Sequence, residues 1–187
     1  MKLLSFCTTL ALTTCTLGLS IFPVFSQENR SASPSNKARF FCNKMFDNAS
    51  GQNIPTTLAW VPERQVHVLF VAWKSEYFPK WSPEKRCQVV SEKFHKFNES
   101  GLLNYLTTGT VKGYPVICVA KNFGETCNGN NLLFTLKDDA NPEVVLRQLM
   151  NIAEGKSSEP TYQSSGPRTY LNVKNYLNNA PVVNVKK

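Results

Sequence analysis

Alternating and continuous apolar runs along the chain predict a series of β-strands. Residues 39–42 and 56–60 are short runs with aromatic or β-branched side chains, and residues 66–73 form the longest run. Because residues 66–73 are apolar on both faces, we expect this strand to lie inside a sheet. Three further runs predict strands over residues 102–108, 114–120 and 131–136. Lys112-Gly113 predicts the turn between the first two of these.

Helical spacing replaces this pattern over residues 82–97. Ser82 can cap the helix, Pro83 suits its first position, and Glu84 faces the positive end of the helix dipole. The apolar side chains that recur at helical spacing form a predicted inner face of Cys87, Val90, Phe94 and Phe97. Val89 falls on the opposite face, and the helical pattern does not explain it.

A second helix is predicted to begin at Asn141-Pro142-Glu143, where the same order of cap, proline and acid recurs. Gly155 is expected to end this helix, and its predicted inner face comprises Val145, Leu149 and Ile152. Strands together with two helices predict an α+β fold, an antiparallel sheet with two main helices packed on it.

Composition along the chain divides it into four predicted parts. Residues 1–26 have a basic start, an apolar run and a cleavage pattern before Gln27, which predicts a signal peptide. A retained membrane anchor and lipidation at Cys15 are the alternatives. Residues 27–37 predict a flexible lead-in, residues 38–154 a single domain, and residues 155–187 a disordered tail with few core-type side chains.

Four cysteines remain after the predicted signal peptide, namely Cys42, Cys87, Cys118 and Cys127. An even number in a small exported domain predicts two disulfides, for which three pairings are possible. The short loop between Cys118 and Cys127 favours a local bridge, which leaves Cys42 to pair with Cys87. The spacings do not match the paired ligands of a zinc site.

The other reactive side chains and motifs of the sequence predict no catalytic residue, no cofactor and no metal site. His67 falls in a predicted strand, where a structural role is usual, and His95 is expected to be solvated. No nucleophile-elbow or phosphate-binding glycine motif occurs in the sequence. We therefore expect a protein that is not an enzyme, and a hydrolase with a dispersed active site is the least favoured alternative.

The formal net charge of +8 raises the question of an acidic partner. Export makes nucleic acid an improbable partner, and the basic residues form no run of five or six. We expect no nucleic-acid binding.

The segment between the longest strand and the first helix is the strongest candidate for a binding surface. Its aromatic and basic residues are Trp73, Lys74, Tyr77, Phe78, Lys80 and Trp81. Tyrosine and tryptophan favour surfaces that are apolar on one side and wet on the other, such as protein interfaces and lipid headgroups. The structural alternative is that these rings cover the edge of the core.

These features predict an exported, disulfide-stabilised binding module whose partner is an unknown protein or an anionic lipid surface. The expected location is outside the cytoplasm. Peripheral association with an anionic membrane is the alternative function, and mixed acidic residues near the lysines weaken it.

Six short motifs resemble those of the circadian-oscillating polypeptide family of cyanobacterial exported proteins, and together they span about residues 40–153. They are Phe40-Phe41-Cys42, Pro55-Thr56-Thr57 through Trp60, Ser82-Pro83-Glu84-Lys85-Arg86-Cys87, Leu102-Leu103-Asn104-Tyr105-Leu106 with Gly109, Pro115-Val116-Ile117-Cys118, and Cys127 followed by Leu132-Leu133-Phe134-Thr135-Leu136. The resemblance implies an exported or membrane-associated protein with the four cysteines, and its expected location is the periplasm, the thylakoid lumen or the extracellular space. It implies no defined activity and no catalytic residue.

Overall fold

A computed structural model describes residues 36–74, 78–153 and 168–185 of the chain. Within these ranges the chain forms eight strands and three helices. The strands are β1 (Arg39–Asp47), β2 (Gln52–Val61), β3 (Val66–Ala72), β4 (Tyr105–Val111), β5 (Tyr114–Ala120), β6 (Leu132–Thr135), β7 (Tyr170–Asn172) and β8 (Val182–Val183). The helices are α1 (Pro83–Glu99), α2 (Pro142–Ala153) and α3 (Val173–Asn179).

The strands of the described residues pair into two antiparallel sheets, ordered β1-β2-β3-β8 and β6-β5-β4-β7. The α+β class is confirmed, with two sheets where the sequence predicted one. The chain passes through α1 between β3 and β4, and β4 belongs to the second sheet. The predicted turn at Lys112-Gly113 joins β4 to β5, with both residues at positive φ (53° and 84°), as a tight hairpin turn requires.

Helix α1 has the cap and the inner face that its sequence predicts. The Ser82 hydroxyl accepts a hydrogen bond from the backbone N–H of Lys85 at 3.2 Å, and Pro83 is the first helical residue. Cys87, Val90 and Phe94 are buried on the inner face. The Phe94 ring lies 5.2 Å from both the Phe40 and Phe70 rings, so this helix shares one aromatic core with the first sheet.

Two disulfides connect these elements in the pairing that the sequence favoured. Cys42 of β1 is bonded to Cys87 of α1, with Cα atoms 5.5 Å apart. Cys118 of β5 is bonded to Cys127 in the loop before β6, with Cα atoms 5.6 Å apart. The first bridge therefore fixes α1 to the first sheet, and the second closes a local loop beside the second sheet.

Helix α2 begins as predicted, because the Asn141 side chain accepts hydrogen bonds from the backbone N–H groups of Glu143 (3.0 Å) and Val144 (3.4 Å). Leu149 is buried as predicted. Leu146, which the predicted inner face omitted, is fully buried, and Val145 is only half-buried. The side chain of Ile152 lies outside the described residues.

The prediction of a disordered tail over residues 155–187 is wrong for residues 168–185. β7 pairs with β4, and β8 pairs with β3. Helix α3 buries Val173, Tyr176 and Leu177, and the Tyr176 hydroxyl donates a hydrogen bond to the Leu69 carbonyl at 2.5 Å. Elements this short are unstable alone, and their stability comes from packing that no local pattern records.

These contacts extend the predicted domain beyond residue 154, and the described residues belong to one compact unit. The predicted signal peptide with Cys15, residues 27–35 of the lead-in and residues 154–167 lie outside the described residues. None of the helices described is both long enough and apolar enough to cross a membrane.

Candidate binding groove

A groove of about 430 Å³ runs between α1 and β6, and we call it the α1–β6 groove. Helix α1 lines it with four side chains, Arg86, Val89, Val90 and Lys93. The second sheet lines it with Tyr114, Leu132, Leu133, Phe134 and Thr135. The segment between β3 and α1 adds Trp73, Phe78 and Trp81. This volume falls within the range of about 300–1,000 Å³ that small-ligand sites occupy.

Trp73 is a fixed, buried part of the groove rather than an exposed surface residue, which corrects the sequence prediction at this position. Only 5% of it is accessible to solvent. Its indole Nε1–H donates a hydrogen bond at 3.0 Å to the hydroxyl of buried Thr57, which also accepts one from Ser91 at 2.9 Å. Its ring meets Phe134 edge-on at 5.3 Å. The structural alternative raised by the sequence therefore holds for Trp73.

Trp81 and Tyr114 expose much of their rings at the same groove. Trp81 is 45% exposed and Tyr114 is 51% exposed, and both rank among the large apolar side chains that the described residues leave in solvent. Exposed aromatic rings beside an apolar groove are typical of interaction sites.

The two cations of the groove lie on α1. The Arg86 guanidinium lies 5.4 Å from the ring centres of both Trp73 and Phe78, within cation–π distance of each. The Lys93 ammonium donates hydrogen bonds to the backbone carbonyls of Leu133 (3.2 Å) and Leu132 (3.4 Å). Burial lowers the pKa of Arg86 and the pKa of Lys93, because desolvation disfavours the charged forms.

The described lining of the groove includes no aspartate, glutamate, histidine or free cysteine. This lining therefore has no carboxylate, imidazole or thiol that could act as a general base or nucleophile. Its chemistry suits binding of an apolar group near a positive charge.

The other predicted surface residues divide between this groove and its surroundings. Phe78 is half-buried and lines the groove, whereas Lys80 is exposed. Lys74 forms an ion pair with Asp47 at 2.8 Å, so part of its charge is already compensated. The hydrogen bond from Lys74 is the main cause that lowers the pKa of Asp47. Tyr77 lies outside the described residues.

Sequence reasoning missed the walls of the groove. Val89, which the helical pattern left unexplained, lines the groove beside Val90. Arg86, Val89, Val90 and Lys93 follow helical spacing and could have indicated a second face of α1. No local signal joins that face to β6 and Tyr114, because they come from a later part of the chain.

The two histidines lie together at a different, more polar pocket lined by Arg39, Phe40, Phe41 and Trp60. The His67 ring packs 4.8 Å from Trp60 and 5.6 Å from Phe41. His95 is half-buried instead of solvated as predicted, because its helix position lies beside β1. Among the described residues no group of three potential metal ligands is found.

The model of one protein family, described as circadian oscillating protein COP23, matches residues 39–178 of this chain. The chain belongs to this family. The COP23 match covers β1 to β7, the α1–β6 groove and nearly all of α3, so it includes β7 and α3 of the segment that the sequence assigned to a tail, and β8 lies beyond it. Comparison with curated proteins and with solved structures finds no match.

Proposed function

We propose that this chain is an exported, non-catalytic binding module of the cell envelope or lumen, and that it holds an apolar group of its partner in the α1–β6 groove. The observation that carries the proposal is the exposure of Trp81 and Tyr114 beside a groove whose base is fixed. The hydrogen bonds that join Trp73, Thr57 and Ser91 hold the Trp73 ring in place at this base. A preformed apolar site loses less conformational freedom on binding than a flexible one.

Two features support export and the absence of catalysis. Disulfides such as Cys42–Cys87 persist in oxidising compartments and are rare in the reducing cytosol. The groove offers two cations and a tyrosine as its ionisable side chains, and its described lining has no carboxylate, imidazole or thiol beside them.

The test uses a neutral apolar fluorophore, N-phenyl-1-naphthylamine, titrated into the oxidised protein. We expect the wild type to bind it and Trp81→Ser to weaken binding about tenfold, because a large part of an aromatic contact is lost. The matched control is Phe123→Ser, since Phe123 is also an exposed aromatic residue (75%) but does not line the groove. Equal losses in the two variants, or no binding by the wild type, would contradict the groove as the binding site.

A further inference from the structure

The ligand chemistry of the groove can be inferred from the face of α1 that lines it. Arg86, Val89, Val90 and Lys93 lie on that face, with a cation at each end and valines between. Seven residues of helix separate the two cations by about 10 Å along the axis. The groove is therefore apolar along its length, with a basic side chain at each end.

Lys93 is the better placed of the two cations to receive an anion. Its ammonium has three N–H donors, and the backbone carbonyls of Leu132 and Leu133 accept two hydrogen bonds. The ion pairs found among the described residues, Lys74–Asp47 and Lys96–Glu92, do not include Lys93. A partly buried ammonium without a counter-charge is unfavourable, and an anionic group beside it offsets that cost.

The hydrogen bonds of Lys93 disfavour a partner peptide that would add a strand to β6. β6 is an edge strand of its sheet, and an edge strand can accept an additional strand from a partner peptide. Lys93 already occupies the Leu132 and Leu133 carbonyls, so strand addition there would have to displace the ammonium.

We propose that the α1–β6 groove binds a free single-chain fatty acid, with the carboxylate on Lys93 and the acyl chain along Val89 towards Trp81. This inference rests on the proposed function, because it names the ligand class of the same groove. The charge on Lys93 complements the carboxylate, and Val89, Leu133 and Phe134 provide the apolar contact for the chain.

The experiment compares two ligands that share one chain, decanoate and decan-1-ol, both kept below micelle-forming concentrations. Titration calorimetry is carried out at low salt with the wild type, Lys93→Met and Lys96→Met. We expect the wild type to bind decanoate about tenfold to a hundredfold more tightly than the alcohol, the range of one charge-assisted hydrogen bond. Lys93→Met should remove that preference, so that the variant binds the two ligands with equal affinity. Lys96→Met is the matched control, because Lys96 lies on the same helix but is paired with Glu92 in solvent.

Three results would overturn the proposal. Equal affinity of the wild type for decanoate and decan-1-ol would reject the carboxylate site, and this result can be interpreted without any variant. It would not contradict the proposed function as a module that binds apolar groups. Unchanged decanoate preference in Lys93→Met would reject Lys93 as the site. Lys93-dependent sedimentation with anionic vesicles, without binding of monomeric decanoate, would identify a bilayer headgroup as the source of the anion. Failure of both ligands to bind would instead contradict the proposed function itself.

Discussion

Trp73 and Trp81 begin and end the same aromatic segment, but their surroundings give them different roles. Trp73 is buried, with its N–H satisfied by Thr57, so replacing it would damage the core. Trp81 is nearly half exposed, so replacing it tests the groove without removing core contacts. Replacing both tryptophans together would mix the two effects, and single substitutions separate them.

Gly109 is a residue at which the fold depends on the absence of a side chain. A Cβ atom at this position would lie 2.6 Å from Cys127 Cβ and 2.9 Å from its Sγ. Because the Cys118–Cys127 disulfide holds Cys127 in place, we expect Gly109→Ala to lower the free energy of unfolding by about 1–3 kcal/mol. Urea denaturation of the oxidised protein measures this change.

Gly129→Ala is the control for this prediction. Gly129 lies close to Cys127 in the chain, and a Cβ atom there would meet no other atom within 4 Å. We expect an effect within about 0.5 kcal/mol. A similar loss of stability in both variants would mean that the close approach to Cys127 is not the cause.

At the scale of single elements, the sequence predicted best what depends on neighbouring residues. The Ser82 cap, the Pro83 start of α1 and the Lys112-Gly113 turn are local signals, and each is confirmed. The short loop between Cys118 and Cys127 indicated a local bridge for the same reason. Such features are decided within a few residues, where backbone geometry and loop length limit the choices.

Features that depend on distant contacts could not be predicted in the same way. The pattern could not show that Trp73 would find Thr57, or that Val89 would face β6. Two sheets form in place of one because strand pairing is decided by tertiary packing. Val173, Tyr176 and Leu177 have helical spacing, but so short a helix is stable only when its apolar face is covered.

The C-terminal elements provide a prediction at this scale. Leu177 of α3 is only 9% exposed, and the Arg64 guanidinium donates a hydrogen bond to its backbone carbonyl at 2.5 Å. We expect Leu177→Ala to lower the free energy of unfolding by about 2–5 kcal/mol, as removal of buried leucine does. Thermal or urea denaturation of the oxidised protein provides the measurement.

Val182→Ala is the matched control, because Val182 lies in the same C-terminal region but is 52% exposed. We expect this variant to unfold at nearly the wild-type denaturant concentration. If Leu177→Ala left the free energy of unfolding equally unchanged, α3 would not be packed against the domain in solution. A disordered C-terminal segment would then be the better description.

At the scale of the whole molecule, the two disulfides differ in how far apart in the sequence their cysteines are. Cys42–Cys87 has a sequence separation of 45 residues and fixes α1, one wall of the groove, to β1. Cys118–Cys127 has a separation of 9 residues and closes a loop beside β5. On the loop-entropy model the two closures stabilise the fold by about 4 and about 3 kcal/mol, respectively. Their sum is comparable to the whole stability of a typical domain, about 5–15 kcal/mol.

We therefore expect the Cys42→Ser/Cys87→Ser variant to lose more stability than the Cys118→Ser/Cys127→Ser variant, and dithiothreitol to unfold the wild type at mild denaturant concentrations. Urea denaturation of the three proteins, with and without reductant, measures both effects. Because serine replaces both partners of a bridge, neither variant contains an unpaired thiol from that bridge. A wild type whose unfolding is unaffected by dithiothreitol, with Cys42, Cys87, Cys118 and Cys127 then titrating as thiols, would show that these bridges do not maintain the fold.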